Sequence, residues 1–320
     1  MAVKRNLDQH SSEDVIVEAA WLYYEEGLNQ NEIAQRLCVS RATVVNYLQE
    51  ARERSYVQIS LSPKVFASHQ LAHDLKTKFG LADVIVLPDD AGEENTAWRV
   101  ARGAARLVPS LLNAGDRLGI AWGKTIYDVA EHLEHKVVDN LTVLQLVGSM
   151  ATPYGFSADV CSSRFARKLS ARCINLHVPA ILSSKKIANL LQEEELIAHQ
   201  LNEITSFNKT VFAVGSCMPD SHVVSSGVAT REELQIYVDR GAIGVLCGRF
   251  IDKNGNEISG PLDGRILGIS AEKMRNPEVG ILVSTGKERV RPTLAALKGG
   301  YVTHLVTSAH FAGELLSLSD

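Results

Sequence analysis

Two short stretches of the 320-residue chain carry residue types whose spacing can do chemistry. In "VSRATVVNYLQEAR", Ser40 precedes a run with helical apolar spacing and is a natural N-cap. A helix begun there presents Arg41, which can pair with guanine O6/N7 or a phosphate, and Asn46, which can pair with adenine N6/N7. The Ser40 and Thr43 hydroxyls can reach phosphates or a thymine methyl. Tyr47 suits either a core edge or the backbone of a duplex, and Arg36 adds positive charge just upstream. In "LGIAWGKTIYDVAEHL", a strand-like run leads through Trp122, Gly123, Lys124 and Thr125 straight into a helix-like one. Gly123 lets backbone N–H groups approach an anion, the helix N-terminus attracts it, and Lys124 and Thr125 add a charge and a hydroxyl. The spacing G-x-x-x-x-G-K-[ST] is absent, so this is not a nucleotide P-loop.

The elements that must position the first stretch are three short helices. The first is expected over Glu13–Glu26, with Val15, Ala19 and Leu22 facing inward and Gly27 ending it at a positive φ. Asn29 and Glu32 form a capping-box pattern for a second helix that buries Ile33, Ala34 and Leu37. Arg41 to about Arg54 forms the third, with Val44 and Leu48 as its buried seam. Cys38 falls in the tight turn, where a positive φ on a non-glycine residue costs roughly 1 kcal/mol. Three helices so joined describe a helix-turn-helix, whose last helix enters the major groove by its N-terminal half. Residues 1–62 carry six Lys/Arg against nine Asp/Glu, yet from Arg36 to Arg54 four arginines face two acids. The positive charge therefore sits on the second and third helices.

A short strand is expected over "YVQISLSPKV". Beyond it, amphipathic helices ("SHQLAHDLKTKFG", 95–112, Thr125–Leu133) alternate with apolar strands ("ADVIVLP", "RLGIA", "LTVLQLVG", "TVFAVGS", "VGILVST", "THLVTS"). This predicts an α/β domain with a mostly parallel, helix-covered sheet, whose ligands sit beyond the carboxyl ends of the strands. Small polar residues recur at those ends: Ser149, Ser216, and Ser284-Thr285-Gly286. "FIDKNGNEI" reads as a hairpin.

Composition sets the outer bounds. A net charge of −4 argues against a polycation, and no apolar run approaches the ~20 residues of a membrane span. The N-terminus has no apolar block of the kind a secretory signal requires. Five scattered cysteines without a C-x-x-C pair, and ten histidines that do not cluster, suggest reduced thiols in a cytoplasmic protein with no metal site.

The helix-turn-helix, followed in order by "LGIAWGKTIYDVA", "LTVLQLVG", "GAIGVLCGRFIDKNG", "LDGRILGIS" and "LAALKGGYVTHLVTSAHFAGELL", resembles the SorC family of bacterial sugar-responsive transcriptional regulators over nearly the full length. The resemblance implies a tetramer, an effector domain related in fold to sugar-phosphate isomerases, and an effector that is usually a phosphorylated sugar or polyol. It places Gly123, Lys124 and Thr125 on a phosphate-side loop and starts another effector loop at Gly286. Three positions depart from the family pattern. Val245 stands where an acid is usual, Arg289 where Lys is usual, and Ser308 where an aspartate follows threonine.

The resulting expectation is an operator-binding domain over 1–60 and an effector-binding, oligomerising domain over 61–320. DNA contacts are expected from Arg36, Ser40, Arg41, Thr43, Asn46 and Tyr47, and effector contacts from Trp122, Gly123, Lys124, Thr125, Ser149, Thr285, Gly286 and Arg289. No cofactor, metal or catalytic residue is expected. The competing reading is a sugar-phosphate isomerase or deaminase with an appended helical domain. Such an enzyme needs a carboxylate or histidine base near the strand ends, and Val245 removes one acid from that region.

Overall fold

A computed structural model describes residues 12–57, 63–150 and 156–318. The chain divides into two compact units, 1–65 and 66–320. In the first, α1 (Ser12–Tyr24), α2 (Gln30–Arg36) and α3 (Arg41–Glu53) enclose a core of Ile16, Ala19, Leu22, Ile33, Val44, Leu48 and Ala51. Val15, expected inside, is only half-buried, and Ile16 takes its place. Val15 lies on the same side as Ala19 and Leu22 but in the first turn of α1, where fewer residues cover it.

Local chemistry fixes the two junctions between helices in this unit. Gly27 adopts φ 71°, and the Leu28 N–H reaches back to the Leu22 carbonyl at 3.0 Å, closing α1 in a Schellman-like turn. The Asn29 side chain accepts from the Asn31 and Glu32 amides while Glu32 accepts from the Asn29 amide at 2.7 Å, a complete capping box. Cys38 takes the expected positive φ, 52°. The Thr43 amide donates to the Ser40 hydroxyl at 3.0 Å, starting α3 at the expected residue.

The strand expected over 56–65 falls largely outside the described residues. Its last members, Pro63 to Val65, instead open α4 (Pro63–Phe79), since proline is tolerated in a helix's first turn.

The second unit is built on β1 (Asp83–Leu87), α5 (Glu93–Ser110), β2 (Arg117–Ile120), α6 (Lys124–His132), β3 (Thr142–Gln145), α7 (Ala158–Lys168), β4 (Arg172–Ile174), α8 (Lys185–Glu193), α9 (Glu195–Glu203), β5 (Lys209–Phe212), β6 (Gly215–Ser216), α10 (His222–Ser225), α11 (Arg231–Asp239), β7 (Gly244–Leu246), β8 (Arg249–Ile251), β9 (Val279–Val283), α12 (Val290–Lys298), β10 (His304–Ser308) and α13 (Ala309–Leu318). Among the described residues, seven strands form one parallel sheet in the order β1-β10-β9-β5-β2-β3-β4. Two apolar clusters cover its faces. One centres on Val100, Ile120, Val129, Phe165 and Val211, the other on Leu75, Leu146, Phe212, Leu282 and Leu305. Strands buried on both faces account for the continuous apolar runs in the sequence.

The strand order decides where a ligand can enter. From β2 the chain builds outward through β3 to β4, and from β5 it builds the other way through β9 to β10. Their connections diverge between β2 and β5, leaving a crevice at the carboxyl ends of those two strands. Beside it lies a small antiparallel sheet, β6-β7-β8. Its β7–β8 turn is Cys247-Gly248, at φ 48° and 81°, as a two-residue type I′ turn requires. The Asn254-Gly255 turn read from the sequence follows it, with Asp252 N–H donating to the Asn256 carbonyl at 2.9 Å.

Candidate functional site

Helix α3 presents Arg41, Ala42, Val45, Asn46 and Gln49 to solvent. The other expected DNA contacts are partly engaged. Arg36 pairs with Glu26 at 2.9 Å, and the Ser40 and Thr43 hydroxyls meet at 2.7 Å while Ser40 caps the helix. Arg41 Nε donates to Gln30 at 3.3 Å, a contact weak enough to be exchanged for a base edge. Tyr47 is half-buried, with its ring packed against the core. Val45, exposed one residue before Asn46, is an apolar group that sequence reading passed over and that can contact a thymine methyl.

The crevice between β2 and β5 is a cleft of about 610 Å³, counting the space open to solvent. Trp122 to Thr125 form one wall, Ala213 to Gly215 another, and His222, Val245 and Arg289 close it. Gly123 serves as N-cap of α6 at φ 113° and offers no capping side chain, so the first-turn amides depend on some other acceptor. Arg289 Nη1 donates to the Thr125 hydroxyl at 3.0 Å, joining the start of α6 to the turn before α12. Lys124 lines the mouth but reaches along its own helix to Asp128 at 2.6 Å.

The rest of the lining is apolar: Ala121, Ala213, Val214, Val223, Val228 and Val245. No Asp or Glu is among the described residues that line the cleft. Burial pushes the thiol of Cys247, also in the lining, up to about 12, so it is not a nucleophile. The Cys161 thiol, close enough to share a hydrogen bond with the Gly123 amide, is likewise pushed up to about 12 by burial.

His222 is the residue sequence reading missed. It belongs to α10, lines the cleft, and packs edge-on against Phe156 with ring centroids 5.3 Å apart. Phe156 in turn sits 6.4 Å from Tyr127, over which Arg164 lies at 4.6 Å. Burial, and then the positive Arg289, hold the imidazole below its ordinary range. A lone histidine in "PDSHVVSSG" carries no spacing signal, so only the fold could reveal it.

Three expected effector residues lie elsewhere. Ser149 is bound into a separate network, accepting from Gln145 at 3.1 Å and donating to Asp159 at 2.9 Å. Thr285 and Gly286 line a neighbouring hollow with Asp89, Glu93, Ser308 and His310. Both hollows lie at carboxyl ends of strands, but β9 and β10 open on the second one, beyond the switch point.

Comparison with known proteins identifies the family. Residues 63–317 match the family described as "Putative sugar-binding domain". The chain is 39% identical to a transcriptional regulator of Escherichia coli, YjhU, over 96% of this chain and 95% of that one. It is 29% identical to the deoxyribonucleoside regulator of Bacillus subtilis, covering 94% of this chain and 96% of the other. The full-length sorbitol operon regulator SorC of Klebsiella pneumoniae superposes with a TM-score of 0.74 at 26% identity, covering 96% and 99% of the two chains. These relatives are regulators, not enzymes, and none of the described helices is long and apolar enough to cross a membrane. The chain belongs to the SorC family of DNA-binding transcriptional regulators, with its sugar-binding domain at residues 63–317.

Proposed function

We propose that residues 1–60 bind operator DNA through α3, and that residues 61–320 bind a small phosphorylated sugar or polyol and assemble the chain into a tetramer. The regulator acts in the cytoplasm on an operon for carbohydrate or polyol catabolism. The observation that carries the effector reading is the cleft at the switch point. It combines an N-cap glycine without a capping side chain, the Thr125 hydroxyl and the Arg289 guanidinium at one corner. Helix N-termini and arginine forks both favour phosphate oxygens. The apolar remainder, with Val245 in place of an acid, favours a ligand body with few hydroxyls to satisfy. Names of relatives support the substrate class: one is a sorbitol operon regulator and another a deoxyribonucleoside regulator.

A single helix-turn-helix makes few base contacts, so useful specificity requires two half-sites and hence more than one copy of the chain. Light scattering at micromolar concentration tests this directly, since a monomer with and without ligand removes the assembly part of the proposal. A thermal-shift screen of sugar and polyol phosphates beside their unphosphorylated forms tests the rest. A ligand at 100 times its Kd adds roughly 2.7 kcal/mol of stability. Stabilisation by the neutral forms alone, unchanged in Arg289→Ala, removes the phosphate from the reading.

A further inference from the structure

Three elements of the effector domain bring polar groups to the lining of the cleft. Thr125 comes from the first turn of α6, Arg289 from the turn before α12, and His222 from α10. Thr125 and Arg289 are already in contact. His222 lines the same cleft and feels the Arg289 charge. Its ring meets Phe156 edge-on, with centroids 5.3 Å apart.

Charge explains what such a lining is for. In the free protein an imidazolium here would face a guanidinium in a partly desolvated cleft, which disfavours it. A dianion placed between them reverses that balance, because an opposite charge within ~4–6 Å favours the protonated ring. Other ionisable groups stand around the cleft. Lys124, on α6, lies 2.6 Å from Asp128 in a solvent-exposed pair, and Cys247, in the β7–β8 turn, stays a neutral thiol. No Asp or Glu is among the described residues lining the cleft, and the nearest carboxylate paired with Arg289 is that of Glu288, 3.5 Å from its Nε.

We infer that His222 is the third donor of the anion site and that it takes up a proton when the effector's phosphate dianion binds, making capture of the dianion tighter as pH falls. The inference rests on the phosphate reading of the cleft. It adds to it a named contact, a preference for a phosphate monoester dianion over a carboxylate monoanion, and a coupling between regulation and pH. The sign follows from linkage: the bound state holds more protons than the free state between the two pKa values of His222, so binding weakens as pH rises through that window.

The test uses the full-length protein and inorganic sulfate, which stays a dianion between about pH 5 and pH 8, where imidazoles titrate. The His222 ring resonance is identified by its contact with the Phe156 ring and followed by NMR across that range with and without sulfate. Calorimetry with sulfate, glycerol phosphate and lactate follows affinity. The expected result is an upward shift of the His222 titration with sulfate, by about one unit, and affinity about tenfold higher at the acid end than at the alkaline end. In His222→Gln, which keeps a donor but cannot titrate, the pH dependence of sulfate affinity disappears while binding at the alkaline end persists. Sulfate binding that is lost in Arg289→Ala yet leaves the His222 titration unmoved overturns this inference and spares the phosphate reading. An absence of binding by sulfate and glycerol phosphate alike, or binding indifferent to Arg289→Ala, overturns both. Equal affinity for lactate and glycerol phosphate removes the dianion preference.

Discussion

Arg289 and Thr125 lie 164 positions apart in the chain, yet the guanidinium donates to the hydroxyl at 3.0 Å across the carboxyl edge of the sheet. The contact is a consequence of strand order. β2, which delivers Thr125, and β9, which delivers Arg289, both flank β5, and the loops leaving them converge over its end. With Nε 3.5 Å from Glu288 and Nη1 on the Thr125 hydroxyl, the guanidinium has its plane set and Nη2 left to offer, which a lysine cannot reproduce.

Arg289→Lys therefore tests geometry and Arg289→Ala tests charge. The alanine variant is expected to lose about 1.5–3 kcal/mol of affinity for a phosphorylated effector, the range of a charged hydrogen bond. The lysine variant retains the charge but loses the Thr125 contact, and Thr125→Val in the wild-type background should cost less than either. Calorimetry with the effector found by screening gives all three numbers. Identical affinity in Arg289→Ala and wild type would place the anion elsewhere.

On the DNA side, the exposed head of α3 separates base-reading residues from structural ones. Arg41→Ala and Asn46→Ala are each expected to weaken operator binding by about 1–3 kcal/mol, with smaller losses on random DNA. Arg36, paired with Glu26 at 2.9 Å, should matter less. Ser40→Ala should act mainly through stability, by about 1 kcal/mol, because its hydroxyl caps the Thr43 amide. Gel-shift titrations at fixed salt, beside a thermal melt, keep the two effects apart. Equal losses on operator and random DNA would reduce Arg41 and Asn46 to phosphate contacts.

Much of this was legible in the sequence because it is local. The Asn29–Glu32 box, the Ser40 cap, Gly27, and the Gly123 turn between an apolar run and an amphipathic one each announce themselves within a few residues. Strands β1, β2, β3, β5, β9 and β10 were legible because burial on both faces demands apolar runs. β4 was not: it is three residues long and lies at the sheet edge, too short to show a period. Nor was the division of the strand-end loops between two hollows. Ser149, Thr285 and Gly286 look like Thr125 in sequence, and only the strand order sends them elsewhere.

At the opposite, amino-terminal edge of the sheet, Lys209 is buried at 2% exposure and its ammonium lies 2.7 Å from Asp116 and 2.6 Å from the Leu111 carbonyl. Asp116 also accepts from Asn208 at 2.8 Å and from the Asn113 amide at 2.7 Å. Burial works against its carboxylate, but these hydrogen bonds and Lys209 outweigh it and hold Asp116 below its usual range. Lys209→Met strands a buried carboxylate and is expected to cost about 3–5 kcal/mol. Adding Asp116→Asn should recover part of that loss. Urea melts of the two single variants and the double variant give the coupling; strict additivity would mean that the pair does not interact.

Three histidines make stability pH-dependent. His132, His222 and His304 are all held below the ordinary histidine range, in each case chiefly by burial. As pH falls below about 6.5, the unfolded chain takes up these protons before the folded one does, so stability declines through that window. Urea melts at neutral and mildly acid pH should show this decline, and His304→Gln should flatten it. A stability that rises on acidification would contradict the burial of these rings.

Val245 offers the sharpest test of what the cleft selects. It is 7% exposed, sits on β7 opposite Gly215 and Phe250, and faces the ligand space together with Val223 and Val228. A polyhydroxylated ligand pressed against this wall would leave hydroxyl donors without acceptors, at about 1–3 kcal/mol for each one buried. Val245→Asp supplies an acceptor and should widen recognition toward more hydroxylated ligands. It should also weaken a hydroxyl-poor native effector, because that ligand would leave the new carboxylate unpaired. The same substitution places a negative charge in the cleft shared with Arg289 and His222, so some loss of affinity for every anion is expected. The informative quantity is therefore the ratio of affinities for a sugar phosphate and its deoxy analogue, measured by calorimetry in both proteins. That ratio should rise in Val245→Asp, and a ratio equal to that of wild type would show that Val245 does not meet the sugar.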